Sequence, residues 1–303
     1  MPHPLIIALA ADENYLDGLA GTLAGVVRSA PGAHIRAVIL DCGIADESWR
    51  DFKRTVLPRL RTLELQRLPV HPEQLQVFAP DTRVRSLNNS TYTRMLLPEL
   101  LPDCDRVLYL DCDLLVNADL RELVSLPLDD ALAGAAPENH LPLLEQNITQ
   151  GILSADEASL PAFNSGVLLM DLAAMRGADL LGHVAGLLPK LQGKLQSQAV
   201  LNYLLRGRWK AVPARWNRQR FITEHFSLYH DHPGSVWHFI GKMKPWHFDP
   251  PHMRGLVADF HRDILASGWK PRLRGTWKPL SPAWRDFAKA SRAFTLRHTR
   301  SLE

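Results

Sequence analysis

This sequence predicts an α/β fold built on a mostly parallel sheet, and three observations carry the prediction. Short apolar runs of strand length alternate with stretches of helical periodicity. The first run, "PLIIALAAD", breaks off in polar residues, as a central strand entering a loop does. A later run, "LYLDCDLLV" from Leu108 to Val116, sets two carboxylates, Asp111 and Asp113, into an otherwise apolar segment. Carboxylates at the carboxyl end of a strand stand where open α/β sheets bind ligands.

The elements follow in order. After the first strand, Tyr15, Leu16, Leu19, Leu23, Val26 and Val27 recur at helical spacing. "HIRAVIL" and "TLELQRL" read as the next two strands, with a helix from about Glu47 to Leu60 between them. "STYTRMLLPELL" reads as a helix bent or ended at Pro98. "DRVLYLDCD" is a further strand, followed by a helix near Asp119 to Leu123, and "ALAGAA" and "NSGVLLMDL" supply two more strands. Long helical stretches are expected from about Ala173 to Leu191 and from about Gln196 to Leu205. The Pro-rich stretch Lys244 to Pro251 reads as an ordered loop.

Composition bounds the class. The chain has 303 residues, 46% hydrophobic and 22% charged, which is ordinary for a globular protein. The N-terminal apolar run is too short to span a membrane and lacks the basic start and cleavage site of a signal peptide. Cys42, Cys104 and Cys112 lie far apart without metal-binding spacing, so a reducing, cytoplasmic setting is expected. Nine of the 35 basic and two of the 32 acidic residues fall from Gly268 onward, leaving 26 basic against 30 acidic in the rest. The division expected is therefore a catalytic body over 1–267 and a basic tail over 268–303. With Ser281 as N-cap and Pro282 at the first helical position, Trp284, Phe287 and Phe294 fall on one side of a helix. Arg285, Lys289 and Arg292 fall beside them, a pattern suited to an anionic membrane surface. The body offers no basic surface for nucleic acid. Seven of the eight tryptophans lie at or beyond Trp209, where core packing is the plainest reading and sugar stacking or a membrane interface the sharper ones.

The Asp111–Asp113 pair poses the chemical question. In a strand, residues two apart point to one side, so the carboxylates would converge. Something must offset them: a cation, two bases or a helix N-terminus. Hard oxygen donors there suit Mg²⁺ or Mn²⁺ shared with a phosphate. A haloacid-dehalogenase-type phosphatase would carry such a pair on its first strand with a hydroxyl residue two places on; here Leu115 occupies that place. A nucleotidyltransferase would show a Gly-rich basic loop after the first strand, which "AADENY" does not resemble.

Four segments in order, "AADENY", "STYTRMLLPELLPDCDRVLYLDCDLLV", "FNSGVLLMDL" and "HFIGKMKPWH", resemble family 8 of the retaining glycosyltransferases, over roughly residues 4 to 250. That family includes lipopolysaccharide and lipooligosaccharide galactosyl- and glucosyltransferases and glycogenin. The resemblance implies a GT-A fold, a UDP-hexose donor, a divalent metal (usually Mn²⁺, with Mg²⁺ as the alternative) and an α-linked product. It implies metal ligands Asp111, Asp113 and His238. It places UDP against Ala10, Asp12, Asn14, Tyr15, Cys112, Gly241 and Lys244, with His247 supporting the loop. It places the donor sugar against Arg94, Asn164, Ser197 and Gln198, with Gln198 near the β face of the anomeric carbon. Gly166 would let the strand pack close beside Asn164. The chain departs from the family at Ser197 and Ala199, where Asp-Gln-Asp is usual, and at Glu138, where Asp is common near the acceptor. A degenerate sugar-nucleotide-binding protein is the alternative that these departures keep open. The resemblance further implies a glycan or glycolipid acceptor such as lipopolysaccharide core, reached at the cytoplasmic face of the inner membrane.

Overall fold

The computed structural model describes residues 4–75, 91–148, 153–180, 182–183, 197–222, 234–247 and 255–271. Strands are numbered along the chain. Seven of them form one sheet: β1 (Leu5–Ala11), β2 (Ile35–Asp41), β3 (Leu63–Pro69), β4 (Arg106–Leu110), β6 (Ala133–Pro137), β7 (Phe163–Asp171) and β8 (Trp209–Ala211). Their order is β3-β2-β1-β4-β7-β6-β8. The first four are mutually parallel, β7 runs antiparallel to both β4 and β6, and β8 is parallel to β6. A smaller sheet holds β5 (Leu114–Val116), β10 (Val236–Ile240) and β9 (Arg218–Phe221), in that order.

Period-two alternation divides the core between the faces of the large sheet. Leu5, Ile7 and Leu9 of β1 and Leu108 and Leu110 of β4 join one buried cluster, whereas Ala8, Val107 and Tyr109 join the other. The first face is covered by helices Leu16–Ser29, Asp46–Val56 and Gly255–Ala266, the second by shorter helices and by Ser197–Leu205. Helix Leu16–Ser29 is buried on nearly every side because it lies between β5 and helix Gly255–Ala266. Its glycines permit that approach: a side-chain carbon at Gly21 would lie 2.6 Å from the Phe260 ring.

Several expectations change. "LYLDCDLLV" is not one strand. β4 ends at Leu110, the chain bends through Asp111, Cys112 and Asp113, and β5 then joins the other sheet. The bend, not strand alternation, brings the carboxylates together. Pro98 does not end a helix: a 3-10 turn over Thr93–Leu96 leads into helix Leu97–Leu100, with Pro98 in its first turn, where a missing N–H costs nothing. The helix expected from Ala173 is observed as Leu172–Gly177, and residues 184–196 lie outside the described ones. The tryptophans Trp216, Trp237, Trp246 and Trp269 are core residues. Trp269, just inside the segment read as a tail, donates its ring N–H to the buried Asp17 carboxylate at 2.7 Å. The proposed membrane helix beyond residue 272 lies outside the described residues. Among the described residues, no helix is long and apolar enough to cross a membrane.

Candidate active site

The strand order reverses direction between β1 and β4, so a crevice opens beyond their carboxyl ends. The segment after β1 and the Asp111–Asp113 bend after β4 both enter it. The smaller sheet closes the other side, because β10 pairs with β5 and sets His238 opposite Leu114, one residue past Asp113. The resulting cleft has a volume of about 460 Å³. Ala10, Tyr15, Arg94, Cys112, Asn164, Ser197, Gln198, Gly241 and Lys244 line it with the two aspartates and His238. Two residues assigned by the resemblance do not: Asp12 caps the turn after β1, accepting the Asn14 N–H at 2.8 Å, and neither lines the cleft.

The two carboxylates are held differently. Asp111, its side chain 25% exposed, lies 3.2 Å from the Arg94 guanidinium and accepts the Tyr109 hydroxyl at 2.9 Å. Arg94 is itself buried over the Tyr109 ring and donates to the carbonyls of Thr91 and Ser165. Asp113, 7% exposed, accepts from the Lys244 ammonium through Oδ2. Burial alone would raise its pKa, but Lys244 and the nearby His238 ring outweigh it and hold the carboxyl well below the ordinary carboxylate range. Two bases therefore already balance the two acids within the protein. Of the offsets expected for the pair, two bases are present in the protein itself, and they join a cluster that could also hold a cation. The Lys244 ammonium, which the resemblance assigns to UDP, is directed here at Asp113 and at the Phe239 carbonyl, 2.9 Å away. His247 accepts the Lys244 backbone N–H and closes that turn.

Asp111, Asp113 and His238 each offer a ligand atom, all within 4.8 Å of one another. His238 Nε2 stands 3.3 Å from Asp113 Oδ1 and 3.8 Å from Asp111 Oδ2, while Nδ1 faces Asn217 Oδ1 at 3.0 Å. Asp113 Oδ1 is buried and has no hydrogen-bond partner among the described residues. A carboxylate oxygen and a ring nitrogen facing each other in a buried site call for a positive centre, a cation or a proton, between them. These residues fit a divalent cation: two hard oxygen donors and a neutral imidazole.

Glycines make the geometry possible. A side-chain carbon at Gly166 on β7 would lie 2.3 Å from the His238 ring and 2.9 Å from Asp111 Oδ2. One at Gly18 would lie 2.5 Å from the Cys112 carbonyl, so that helix lies directly under the bend. Gly241 has φ +86, a conformation open to glycine, and turns the chain out of β10. Tyr15 lies half-buried with its ring edge on Trp246, and burial first, then Asp113 and Asp111, raises its pKa.

On the opposite wall, Gln198 in the first turn of its helix is gripped at both ends. Its Oε1 accepts from the Ser165 N–H at 3.1 Å and hydroxyl at 3.3 Å, and its Nε2 donates to Glu138 at 2.9 Å. Asn202, one turn on, clamps this helix to β7 through both the N–H and the C=O of Phe163. Sequence reasoning missed Asn202, Asn217, Ser165, His140 and Phe221. Ser165 and Asn202 lie on an expected strand and an expected helix whose periodicity does not mark them, and His140, Asn217 and Phe221 lie in segments without a signal. Ser165, His140 and Phe221 line the cleft, and Asn202 and Asn217 stand behind it.

The comparisons agree with this geometry. A model described as glycosyl transferase family 8 matches residues 6–249. General stress protein A of Bacillus subtilis (strain 168) is 23% identical over 267 residues, covering 81% of this chain and 88% of that one. Lipopolysaccharide 1,2-glucosyltransferase of Escherichia coli (strain K12) is 28% identical over 265 residues, covering 80% and 73%. The crystal structure of the galactosyltransferase LgtC, in complex with donor and acceptor sugar analogues, matches with a TM-score of 0.67 and 26% identity, covering 93% and 99%. The architecture is accordingly the GT-A fold, and since the family model spans most of the sequence, this chain belongs to glycosyl transferase family 8.

Proposed function

We propose that the chain transfers a hexose, galactose or glucose, from a UDP-sugar to a glycan or glycolipid with retention of the anomeric configuration, and that it uses Mn²⁺. The observation that carries this reading is the Asp111–Asp113–His238 cluster, with a carboxylate oxygen that has no hydrogen-bond partner among the described residues, beyond the carboxyl ends of β1 and β4, where the strand order reverses. A divalent ion held there supplies Lewis-acid stabilisation of the negative charge on a diphosphate leaving group. Arg94 and Lys244 add fixed positive charge in a largely dry cleft, where it acts more strongly than in water. Ala10 and Tyr15 border the space for the nucleoside, and Asn164, Ser197 and Gln198 border the space for the sugar. Gln198 Oε1 already accepts two hydrogen bonds, which suits an amide dipole that stabilises a developing oxocarbenium charge rather than a nucleophile.

The names of two similar proteins, a lipopolysaccharide glucosyltransferase and a galactosyltransferase, support a hexose donor and a lipopolysaccharide-type acceptor. Such an acceptor would place the enzyme peripherally at the cytoplasmic face of the inner membrane, held there by the basic segment 268–303. A panel of UDP-sugars tests the reading through slow donor hydrolysis without acceptor. Release of UDP from UDP-galactose or UDP-glucose with Mn²⁺, abolished by chelator, is expected. Tight UDP binding without turnover of any sugar in the panel would favour the degenerate binding protein.

A further inference from the structure

His238 has two ring nitrogens, and only one of them faces the carboxylates. We infer that Asn217 is the positioning residue that fixes which nitrogen His238 keeps free of a proton, and that a buried carboxylate two amides away, Glu138, dictates the orientation of Asn217. The inference rests on the proposed metal site.

The polarity can be followed link by link. Glu138 receives three donors: Asn164 Nδ2 at 3.0 Å, Gln198 Nε2 at 2.9 Å and the His140 backbone N–H at 3.0 Å. The Glu138 oxygens accept from all three, two at Oε2 and one at Oε1. Asn164 must therefore turn its amide nitrogen to Glu138 and its oxygen away. The Gly166 backbone N–H fixes the same orientation independently, donating to Asn164 Oδ1 at 3.0 Å. That oxygen also accepts Asn217 Nδ2 at 2.9 Å. Asn217 is then left with its Oδ1 toward His238 Nδ1, at 3.0 Å, and this contact is a hydrogen bond only if Nδ1 carries the proton. In the neutral ring Nε2 is then left with its lone pair aimed at the Asp111–Asp113 site. Glu138, Asn164, Asn217 and His238 are all at most 6% exposed. Reversing any one amide would set donor against donor or acceptor against acceptor in a place without bulk water.

A ring held this way is preorganised for a cation, because the ligand orientation is set before the ion arrives. The chain also joins the metal-side histidine to Asn164 and Gln198, on the wall assigned to the donor sugar. Asn217 itself does not line the cleft.

Two measurements on the full-length protein test the inference. The first is ¹⁵N NMR of histidine-labelled, metal-free protein at alkaline pH, where the imidazole is neutral. His238 is expected to show a protonated Nδ1 and an unprotonated Nε2. A proton on Nε2 would overturn the inference, with or without any metal. The second is calorimetric titration of MnCl₂ in the presence and absence of UDP, together with thermal melting. Asn217→Ala is expected to weaken Mn²⁺ binding about 10–100-fold, and Asn217→Asp, which keeps an acceptor toward Nδ1, to bind more tightly than Asn217→Ala. Equal Mn²⁺ affinity in wild type and Asn217→Ala would reduce Asn217 to a packing role. Absence of Mn²⁺ binding by the wild type would instead refute the metal reading, and the NMR result would still decide the tautomer.

Discussion

The two sheets meet at one cleft but contribute to it in different ways. The large sheet brings Asp111, Arg94, Gly166 and Gln198, on or beside strands that read plainly as apolar runs. The small sheet brings His238 and Gly241, with Asn217 and Lys244 just outside its strands, from segments whose pairing is entirely non-local. Asp113 lies where the chain passes from one sheet to the other. On the large-sheet side, a partly exposed carboxylate is paired with an arginine that has other partners. On the small-sheet side, a nearly dry carboxylate is held by one lysine beside the His238 ring, and that lysine donates otherwise to a single carbonyl. Charge at the first site is redundant, and at the second it is not.

Removing each carboxylate separates the two cases. Asp113→Ala leaves the buried Lys244 ammonium with one carbonyl partner and is expected to destabilise the protein by about 3–5 kcal/mol. Asp111→Ala leaves Arg94 on two carbonyls and is expected to cost about 2 kcal/mol, the scale of a charged hydrogen bond. Urea unfolding measures both, and equal costs would break the distinction. Asp113→Ala combined with Lys244→Met should recover most of the loss.

The junction between the sheets is tested through its glycine. Gly166→Ala forces a carbon against His238 and Asp111 and is expected to cost about 1–3 kcal/mol while weakening Mn²⁺ binding. Gly177, at the end of helix Leu172–Gly177, has open space where its side chain would be. Gly177→Ala is expected to stabilise by up to about 1 kcal/mol. Thermal melts of the two variants should move in opposite directions.

A smaller effect is expected on the wall read as the sugar side. Ser197 is buried at the start of its helix, at the position where the family resemblance leads one to expect Asp. Ser197→Asp adds a charge-assisted hydrogen bond toward a sugar hydroxyl, roughly 1–2 kcal/mol. The ratio of UDP-galactose to UDP-glucose hydrolysis rates should change by about tenfold. An unchanged ratio would show that this position does not read the sugar.

The smallest concerns pH. Burial lowers the His261 pKa, opposed by its hydrogen bond to the Pro245 carbonyl. Because the folded value lies below the unfolded one, the unfolded chain takes up the proton first as pH falls. Stability should therefore decline on acidification below the ordinary histidine value of about 6.5. His261→Gln, which can still donate to Pro245, should flatten that decline in denaturant midpoints measured from pH 7.5 to 5.5.

The same contrast explains what the sequence showed. β1, β2, β4 and β7 were legible because strands covered on both faces are long apolar runs. β5 and β8, three residues each, and the polar β9 were not, since so short a segment has no periodicity to detect. The pair Asp111 and Asp113 stood out as charge in an apolar run, but its convergence was assigned to strand alternation when a bend produces it. His238 and Lys244 came from resemblance to a family motif, and their partners did not. Nothing in "RWNRQ" marks Asn217 as the residue behind His238, and nothing in "RMLL" shows that Arg94 neutralises Asp111. The first relation exists only after β10 has joined the small sheet, and the second only once the Thr93–Leu96 turn has packed beside the end of β4.

The central claim is that both sheets jointly hold a divalent ion. Anomalous diffraction at the manganese edge, from crystals of the protein grown with MnCl₂ and UDP, tests it most directly. The expected result is one strong peak within bonding distance of Asp111, Asp113 and His238 Nε2, with Lys244 Nζ no longer on Asp113. A map without a peak there, or with manganese bound only by carboxylates elsewhere on the surface, would contradict it.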